Sequence, residues 1–167
     1  GFEEAEIELI ETLLKKAVDA IIGFRTDEGK ILESEFKKRL KNLEELTEEV
    51  EIVDPERNTK IKEKLQSALD SLEVEVDQNR FEQELIYYLE KYDITEEKVR
   101  LKNHIEYFKN NLDDDTSNGK KLGFIAQEIG REINTIGSKA NHANLQKLVI
   151  QMKDELEKIK EQLLNVL

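Results

Sequence analysis

A carboxylate, a guanidinium and an imidazole recur at helical spacing in the middle of the chain. Glu97, Arg100 and His104 stand at positions i, i+3 and i+7, which places their side chains on one face of a helix. Arg80 and Glu84 stand at i and i+4 in the segment before it. Brought together by two antiparallel helices, these groups could position water or a divalent ion against a phosphodiester. The alternative is structural, since an exposed Glu–Arg pair on a helix is common and contributes only about 0.2–0.5 kcal/mol.

A second candidate surface lies on the segment 119–137, which has one apolar and one polar face on a helical wheel. The apolar residues fall within an arc of about 100°, and they are Leu122, Ile125, Ala126, Ile129, Ile133 and Ile136. The opposite arc holds Phe124, Gln127, Glu128, Arg131, Glu132, Asn134, Thr135 and Ser138. Amides, hydroxyls and an aromatic ring are typical of a face that contacts a ligand, a partner or another part of the chain. Structural pairing across a buried helix crossing, for example of Glu128 with Arg131, is the alternative interpretation.

Helices must position both sets of residues. The 167 residues include 38% hydrophobic and 38% charged side chains, with 7 Gly and 1 Pro, a composition typical of long helices. We predict an all-α fold, an elongated bundle of long helices with coiled-coil-like antiparallel packing. A long N-terminal helix or helix pair is expected over 1–53, and Asp54-Pro55 predicts a helix restart. The helical region 54–167 is then predicted to contain helices over 54–73, 78–92, 94–112, 119–137 and 141–166.

Two apolar seams with alternating steps of three and four residues predict helix partners. The first contains Ile7, Ile10, Leu14, Ala17, Ile21 and Phe24. The second contains Leu145, Val149, Met152, Leu156, Ile159, Leu163 and Val166. We interpret Met152 as a core residue. The seams lead us to expect a homo-oligomer.

Several classes of protein are excluded or disfavoured by composition. The chain has no cysteine and 2 histidines, so disulfides, cysteine zinc sites and a histidine-rich metal centre are excluded. No apolar run of about 18 residues predicts a membrane span, and no signal peptide is visible, so we expect a cytoplasmic protein without membrane contact. The net charge of −12 argues against nonspecific nucleic-acid binding, although a local basic patch remains compatible with it. Asp113, Asp114 and Asp115 lack EF-hand spacing and are interpreted as a solvated loop.

Four stretches of the chain resemble the bacterial YicC/YloC family. Residues 119–139 read GKKLGFIAQEIGREINTIGSK and resemble the family's C-terminal signature, approximately G-R/K-R/K-L-D-F-x-x-Q-E-x-N-R-E-x-N-T-x-x-S-K. Residues 79–84 resemble the motif N-R-L-x-Q-E, and residues 96–104 resemble E-E-x-x-R-L-x-x-H. Residues 25–32 resemble R-x-x-E-G-x-x-L. The resemblance therefore extends over nearly the whole chain.

The resemblance implies the C-terminal helical region of a metal-dependent endoribonuclease that assembles into oligomers around RNA. With that implication, the candidate catalytic residues are Glu84, Glu97, His104, Glu128 and Glu132. A divalent metal, manganese or magnesium, is expected on Glu97, Glu128 and Glu132. The candidate RNA-binding residues are Arg80, Arg100, Lys121, Phe124, Gln127, Arg131, Asn134 and Lys139, with Phe124 against a base.

Two positions depart from the family pattern, because Gly123 stands where the family often has Asp and Gly130 where it often has Asn. The family's sizeable N-terminal domain also has no counterpart in these residues, so we expect a longer protein. Two alternatives to an endoribonuclease follow from the same residues. One is a noncatalytic RNA-binding or adaptor clamp, and the other is a structural helical oligomerisation domain.

Overall fold

The computed structural model describes residues 2–72, 75, 77–112 and 119–165, without the side chains of 2 and 21–26. Within those residues the regular elements are all helices and there is no strand, which confirms the all-α prediction. The helices are α1 (Phe2–Asp70), α2 (Gln78–Lys91), α3 (Thr95–Asn110), α4 (Gly119–Lys139) and α5 (Ala143–Leu164). No helix in these ranges combines the length and the apolar character needed to cross a membrane. The acidic loop at 113–118 lies outside the described residues.

The chain divides into two units, Gly1–Lys37 and Lys38–Leu167. The first unit is helical, and its side chains at 3–20 are exposed. Three residues of the first predicted seam, Ile7, Ile10 and Leu14, are 56–61% exposed. Ala17 of the same seam is exposed as well. The seam residues Ile21 and Phe24, and Arg25 of the family motif, lie outside the described side chains.

Helix α1 continues through Pro55, so the predicted restart at Asp54-Pro55 is wrong. Proline removes one backbone donor from a helix, but the carboxylate that was expected to cap a new helix is engaged elsewhere. Asp54 Oδ1 accepts hydrogen bonds from Arg57 Nε at 3.1 Å, and Asp54 Oδ2 accepts one from Lys98 Nζ at 2.8 Å. Arg57 is 3% exposed, and its anchoring holds this turn of α1 in helical geometry.

The core of the second unit forms around α4, which packs against both α3 and α5. Every residue of the predicted apolar arc of α4 is buried, from Leu122 to Ile136. Helix α3 contributes Leu101, Ile105 and Phe108, each at most 2% exposed. These three residues follow the spacing i, i+4 and i+7, which places one apolar stripe of α3 against the core.

Two glycines permit α4 and α5 to approach closely. A Cβ atom on Gly137 would lie 3.0 Å from Val149 Cγ1, and one on Gly130 would lie 3.2 Å from Leu156 Cδ2. Gly130, the departure from the family's Asn, therefore belongs to a packed helix contact. Gly123, which has no neighbouring atom within 4 Å of such a Cβ, does not.

The second apolar seam is buried inside the chain, which corrects the expectation that it faces another copy. Met152 is 0% exposed, as predicted for a core residue, and Leu145, Val149, Leu156, Ile159 and Leu163 are at most 4% exposed. The seam packs on α4 because the glycines open space for Val149 and Leu156. Val166, the last predicted seam residue, lies outside the described residues.

Candidate functional site

A cluster of buried and half-buried charges forms where α3 and α4 run antiparallel. Glu97 on α3 is 3% exposed, although it lies in the first turn of its helix. Its Oε1 atom accepts a hydrogen bond from Lys139 Nζ at 2.8 Å and lies 3.7 Å from an Arg100 guanidinium nitrogen. The cluster thus joins the beginning of α3 to the end of α4.

The second carboxylate of the cluster is Glu132, which is 5% exposed. Its Oε1 accepts a hydrogen bond from Arg100 Nε at 3.1 Å and lies 3.9 Å from His104 Nε2. Hydrogen bonding to Glu132, followed by Coulomb attraction to the same group, raises the pKa of Arg100 above its ordinary value. Arg100 therefore stays cationic between the two buried carboxylates, with Glu96 as a third, exposed neighbour at 3.3 Å.

One oxygen of Glu97 retains unused acceptor capacity. Among the residues that the structure describes, Glu97 Oε2 is a buried side-chain oxygen with no hydrogen-bond partner. A buried carboxylate oxygen without a donor is costly, and native proteins normally satisfy it with a protein group or an ordered ligand. The position could therefore accept a donor from bound water or from a ligand.

Lys139 connects the charge cluster to a second network on α1. Its ammonium also donates to the backbone oxygen of Asp93 at 3.1 Å, while its own carbonyl accepts from Arg57 at 3.2 Å. Arg57 is bound to Asp54, which also binds Lys98 of α3. Lys139 is therefore held both at its ammonium group and at its backbone carbonyl.

The five predicted catalytic residues lie in three places in the structure, and Glu128 is apart from the others on the exposed side of α4. Glu97, His104 and Glu132 come together in the charge cluster. Glu84 and the predicted phosphate contact Arg80 instead lie on α2, where they line a separate recess with Phe81 and other residues.

The expected metal-ligand residues also separate. Glu128 is 42% exposed at its side chain and lies 3.5 Å from Arg131, as an exposed pair within α4 and not across a buried helix crossing. Glu97 and Glu132 flank the cation of Arg100. In the described ranges, no three histidine or carboxylate side chains are grouped so as to hold a metal ion. The three residues as placed therefore do not form a ligand set, and the metal stays a prediction.

The exposed face of α4 forms one wall of an open recess whose other wall includes Lys160 of α5. The recess has a volume of about 550 Å³ and contains Gln127, Arg131 and Asn134, all predicted RNA contacts. The hydroxyls beside them bond to the helix itself, since Thr135 donates to Arg131 O at 3.0 Å and Ser138 donates to Thr135 O at 3.0 Å. The amides and Arg131 are thus the groups that this face presents outward.

The two remaining predicted RNA contacts lie near the beginning of α4. Phe124 is 60% exposed, as expected of an aromatic side chain outside the core. Lys121 Nζ lies 5.1 Å from the centre of the Tyr107 ring, within the range of a cation–π contact.

A basic groove that was not predicted from the sequence lies next to the charge cluster. This basic groove is a cavity of about 370 Å³ lined by Arg57, Lys60, Ile61, Lys64, Leu65, Ala68, Tyr88, Tyr92, Lys139, Asn141 and His142. Arg57, Lys60 and Lys64 have the same i, i+3, i+7 spacing as Glu97, Arg100 and His104. That repeat was a usable signal for a basic helix face.

The part of the chain that contains these residues matches a known family. Residues 46–167 match the family model described as "Endoribonuclease YicC-like, C-terminal". The charge cluster, the recess and the basic groove all lie within this matched range.

Two similar proteins are each called "Probable endoribonuclease YicC". The one from Clostridioides difficile is 39% identical over 173 residues, covering 98% of this chain. The one from Haemophilus influenzae is 29% identical over 168 residues, again covering 98% of this chain. The chain spans 58% of the length of each of these curated relatives. Because the family model matches well over half of the chain, this protein belongs to the YicC-like endoribonuclease family.

Proposed function

We propose that this chain is the C-terminal region of an RNA-cleaving enzyme and that the charge cluster contacts the scissile phosphodiester. One observation carries the proposal: two buried carboxylates on neighbouring helices bracket Arg100, with His104 at the edge of the cluster. The RNA substrate is inferred from the names of the two relatives. A cytoplasmic location stays a prediction.

Arg100 is the group best placed to bind a phosphate in this cluster. Its side chain is 48% exposed, and its contact with Glu96 joins it to a carboxylate that is 78% exposed. An exposed ion pair of this kind contributes little, about 0–1 kcal/mol, so a phosphate oxygen can replace Glu96. The Nε contact with Glu132 would meanwhile keep the guanidinium oriented, since charge-assisted bonds at both edges hold its plane.

His104 is suited to proton transfer next to that phosphate. Its side chain is 27% exposed, and its Nε2 atom lies 3.9 Å from Glu132, which is longer than a hydrogen bond. Catalytic hydrogen bonds are often long without substrate and shorten in the complex. The imidazole would accept the proton of the RNA 2′-hydroxyl as that oxygen bonds to phosphorus and the bond from phosphorus to the 5′-oxygen breaks, and the leaving 5′-oxygen would take its proton from water. Glu132 would stabilise the resulting imidazolium.

The proton transfer by His104 is described without a metal ion, and the manganese or magnesium ion expected from the resemblance is examined in the cleavage assay. The predicted ligands Glu97, Glu128 and Glu132 do not converge on one point, as described above. A comparison of cleavage with each metal and with a chelator measures the metal requirement directly.

Cleavage of a labelled, structured RNA by the full-length protein tests the proposal. His104→Asn and Glu132→Gln are each expected to lower the cleavage rate by about 10²-fold or more, the usual contribution of an acid–base group. Glu106→Gln is the matched control, because Glu106 lies on α3 but faces a different recess, which contains Glu44 and Glu48. Wild-type rates in both cluster variants would show that the cluster is not the active site.

A noncatalytic RNA clamp is the second candidate function. The observation that favours it is the exposed α4 face, on which Gln127, Arg131 and Asn134 surround an open recess and Phe124 is 60% exposed. A clamp would bind RNA with a steep dependence on salt but would not cleave it under any metal condition. Binding without turnover by the full-length wild-type protein would therefore favour the clamp over the nuclease.

We also propose that the protein is a homo-oligomer. The support is the exposed apolar seam of the first unit, with Ile7, Ile10 and Leu14 each more than half exposed. Apolar stripes at this spacing are usually covered by a partner helix. Light scattering on the full-length protein is expected to give a multiple of the monomer mass, and a triple serine variant at these positions to lower it. A monomeric mass for the wild type would contradict the proposal.

A further inference from the structure

The basic groove is unusual in a chain of net charge −12. Arg57, Lys60, Lys64, Lys139 and His142 line it, and none of its lining residues is an aspartate or a glutamate. A concave surface lined by one sign of charge concentrates the potential and attracts the opposite charge. The groove is therefore a local surface suited to an anionic ligand on a protein of negative net charge.

His142 directs a hydrogen-bond donor into this groove. It is the N-cap of α5, where its Nδ1 atom accepts from the backbone N–H of Leu145 at 3.4 Å. With Nδ1 acting as acceptor, the ring proton lies on Nε2. Nε2 is 3.5 Å from Lys60 Nζ, which is itself a donor only. Two donors that face each other at this distance can share one acceptor oxygen.

The neighbouring cations of the groove are held in fixed positions. Arg57 is bound by Asp54 and by the carbonyl of Lys139, and the Lys139 ammonium is bound by Glu97. These two residues are therefore fixed but already ion-paired, so the positive charge open to a ligand comes mainly from Lys60 and Lys64. Lys60 and Lys64 are exposed and present their ammonium groups to a ligand at the edge of the groove.

An aromatic pair forms another part of the same groove. The rings of Tyr88 and Tyr92 are nearly parallel, with centroids 6.2 Å apart and an angle of 11° between their planes. Both side chains are half-buried, and Ile61 and Leu65 supply apolar surface beside them. A base can stack on such a ring whatever its sequence, because every base has a π-face.

We propose that the basic groove binds one nucleotide of single-stranded RNA, with its phosphate between Lys60 and His142 and its base against Tyr88 or Tyr92. The volume of about 370 Å³ lies within the range of pockets that hold small ligands. The inference rests on RNA being the substrate, as proposed above. It adds a second point of RNA contact that shares Lys139 with the charge cluster.

Binding of a short single-stranded RNA to the full-length protein tests the groove by fluorescence anisotropy at several salt concentrations. The double variant K60Q/K64Q is expected to weaken binding about tenfold, and to lower the salt slope by about 0.7, since the groove holds one phosphate and each neutralised phosphate contributes about 0.7 for single strands. Lys62→Gln is the matched control, because Lys62 is exposed on the same helix but does not line the groove. His142→Asn keeps a capping side chain while it removes the Nε2 donor, and it should weaken binding as well.

Stacking of a base on Tyr88 or Tyr92 is tested with an RNA that contains 2-aminopurine, because the fluorescence of this base is quenched when it stacks. The double variant Y88L/Y92L is expected to remove most of the quenching and to weaken binding about tenfold, whereas Tyr87→Leu, at an exposed neighbour on the same helix, should keep both. If the groove variants bind RNA and quench 2-aminopurine as the wild type does, while E132Q still blocks cleavage, RNA binding in the groove is refuted. The proposed function is then unaffected. Failure of the wild-type protein to bind RNA at all would overturn both.

Discussion

Replacing Lys139 with methionine is expected to destabilise the chain far more than replacing its partner Glu97 with glutamine. The side chain of Glu97 is 4% exposed and that of Lys139 is 32% exposed. Methionine keeps the apolar stem of the lysine but leaves Glu97 as a buried charge that has lost its nearest cation. Glutamine removes the buried charge, and Lys139 then keeps its bond to the Asp93 carbonyl and its access to water.

The magnitude follows from these environments. Removing one partner of a fully buried ion pair costs about 3–5 kcal/mol of unfolding free energy. The cost is lower here because Arg100 remains 3.7 Å from Glu97 and water reaches Lys139, so we expect about 2–3 kcal/mol for Lys139→Met. Glu97→Gln should cost less than about 1 kcal/mol. The double variant should resemble Glu97→Gln alone, because the unpartnered charge is then absent.

Urea unfolding followed by far-ultraviolet circular dichroism measures all three variants. A loss of 2–3 kcal/mol corresponds to a fall in Tm of about 4–12 °C for a chain of this size. The reasoning is refuted if Glu97→Gln costs as much as Lys139→Met. It is equally refuted if the double variant loses the sum of the two single losses, since uncoupled residues add.

Three further predictions concern the helices. Gly137→Ala should lower the free energy of unfolding by about 1–3 kcal/mol, because the new methyl group overpacks against Val149. Gly123→Ala, with nothing within 4 Å of the added Cβ, should raise it by about 0.4–1 kcal/mol. Equal urea midpoints for the two variants would contradict the close approach of α4 and α5. Pro55→Ala should raise stability by about 1–3 kcal/mol because it restores a donor within α1, and a lower Tm would show that the proline is favourable there. Phe124→Ala should change stability by less than about 0.5 kcal/mol and weaken RNA binding in a gel-shift assay, whereas unchanged binding would remove Phe124 from the RNA surface.

Helical periodicity was sufficient to predict most of the fold. The apolar arc of α4 is buried from Leu122 to Ile136, because a row of isoleucines at this spacing has one favourable burial geometry. Asp54-Pro55 misled the prediction, since the local capping signal was outweighed by the tertiary contacts of Asp54 with Lys98 and of Arg57 with the Lys139 carbonyl. Tertiary contacts of this kind are not visible in the residue pattern of one segment.

The candidate site was only partly predictable for a related reason. Spacing on α3 correctly grouped Glu97, Arg100 and His104 on one helix face, and the structure adds Glu132 from α4. Glu128, one turn before Glu132, has a similar place in the sequence pattern but lies toward solvent, because four positions rotate a side chain by about 40° around the helix, and that rotation takes Glu128 out of the contact with α3. The burial of Arg57 and His142 depends on three elements meeting, which no local pattern encodes.

The buried charges of α3 and α4 also have a consequence for how the two helices align. Their apolar stripes repeat at nearly every turn, so a slide of one helix by about 5.4 Å would still set aliphatic side chains against each other. In the observed antiparallel alignment Glu97 meets Lys139 and Arg100 meets Glu132. A one-turn slide would instead place Glu97 opposite the level of Thr135 or beyond the end of α4, where its buried charge would lose the ion pair with Lys139. We expect this penalty to select a single register from a set of alignments that hydrophobic burial alone would leave nearly equal in free energy.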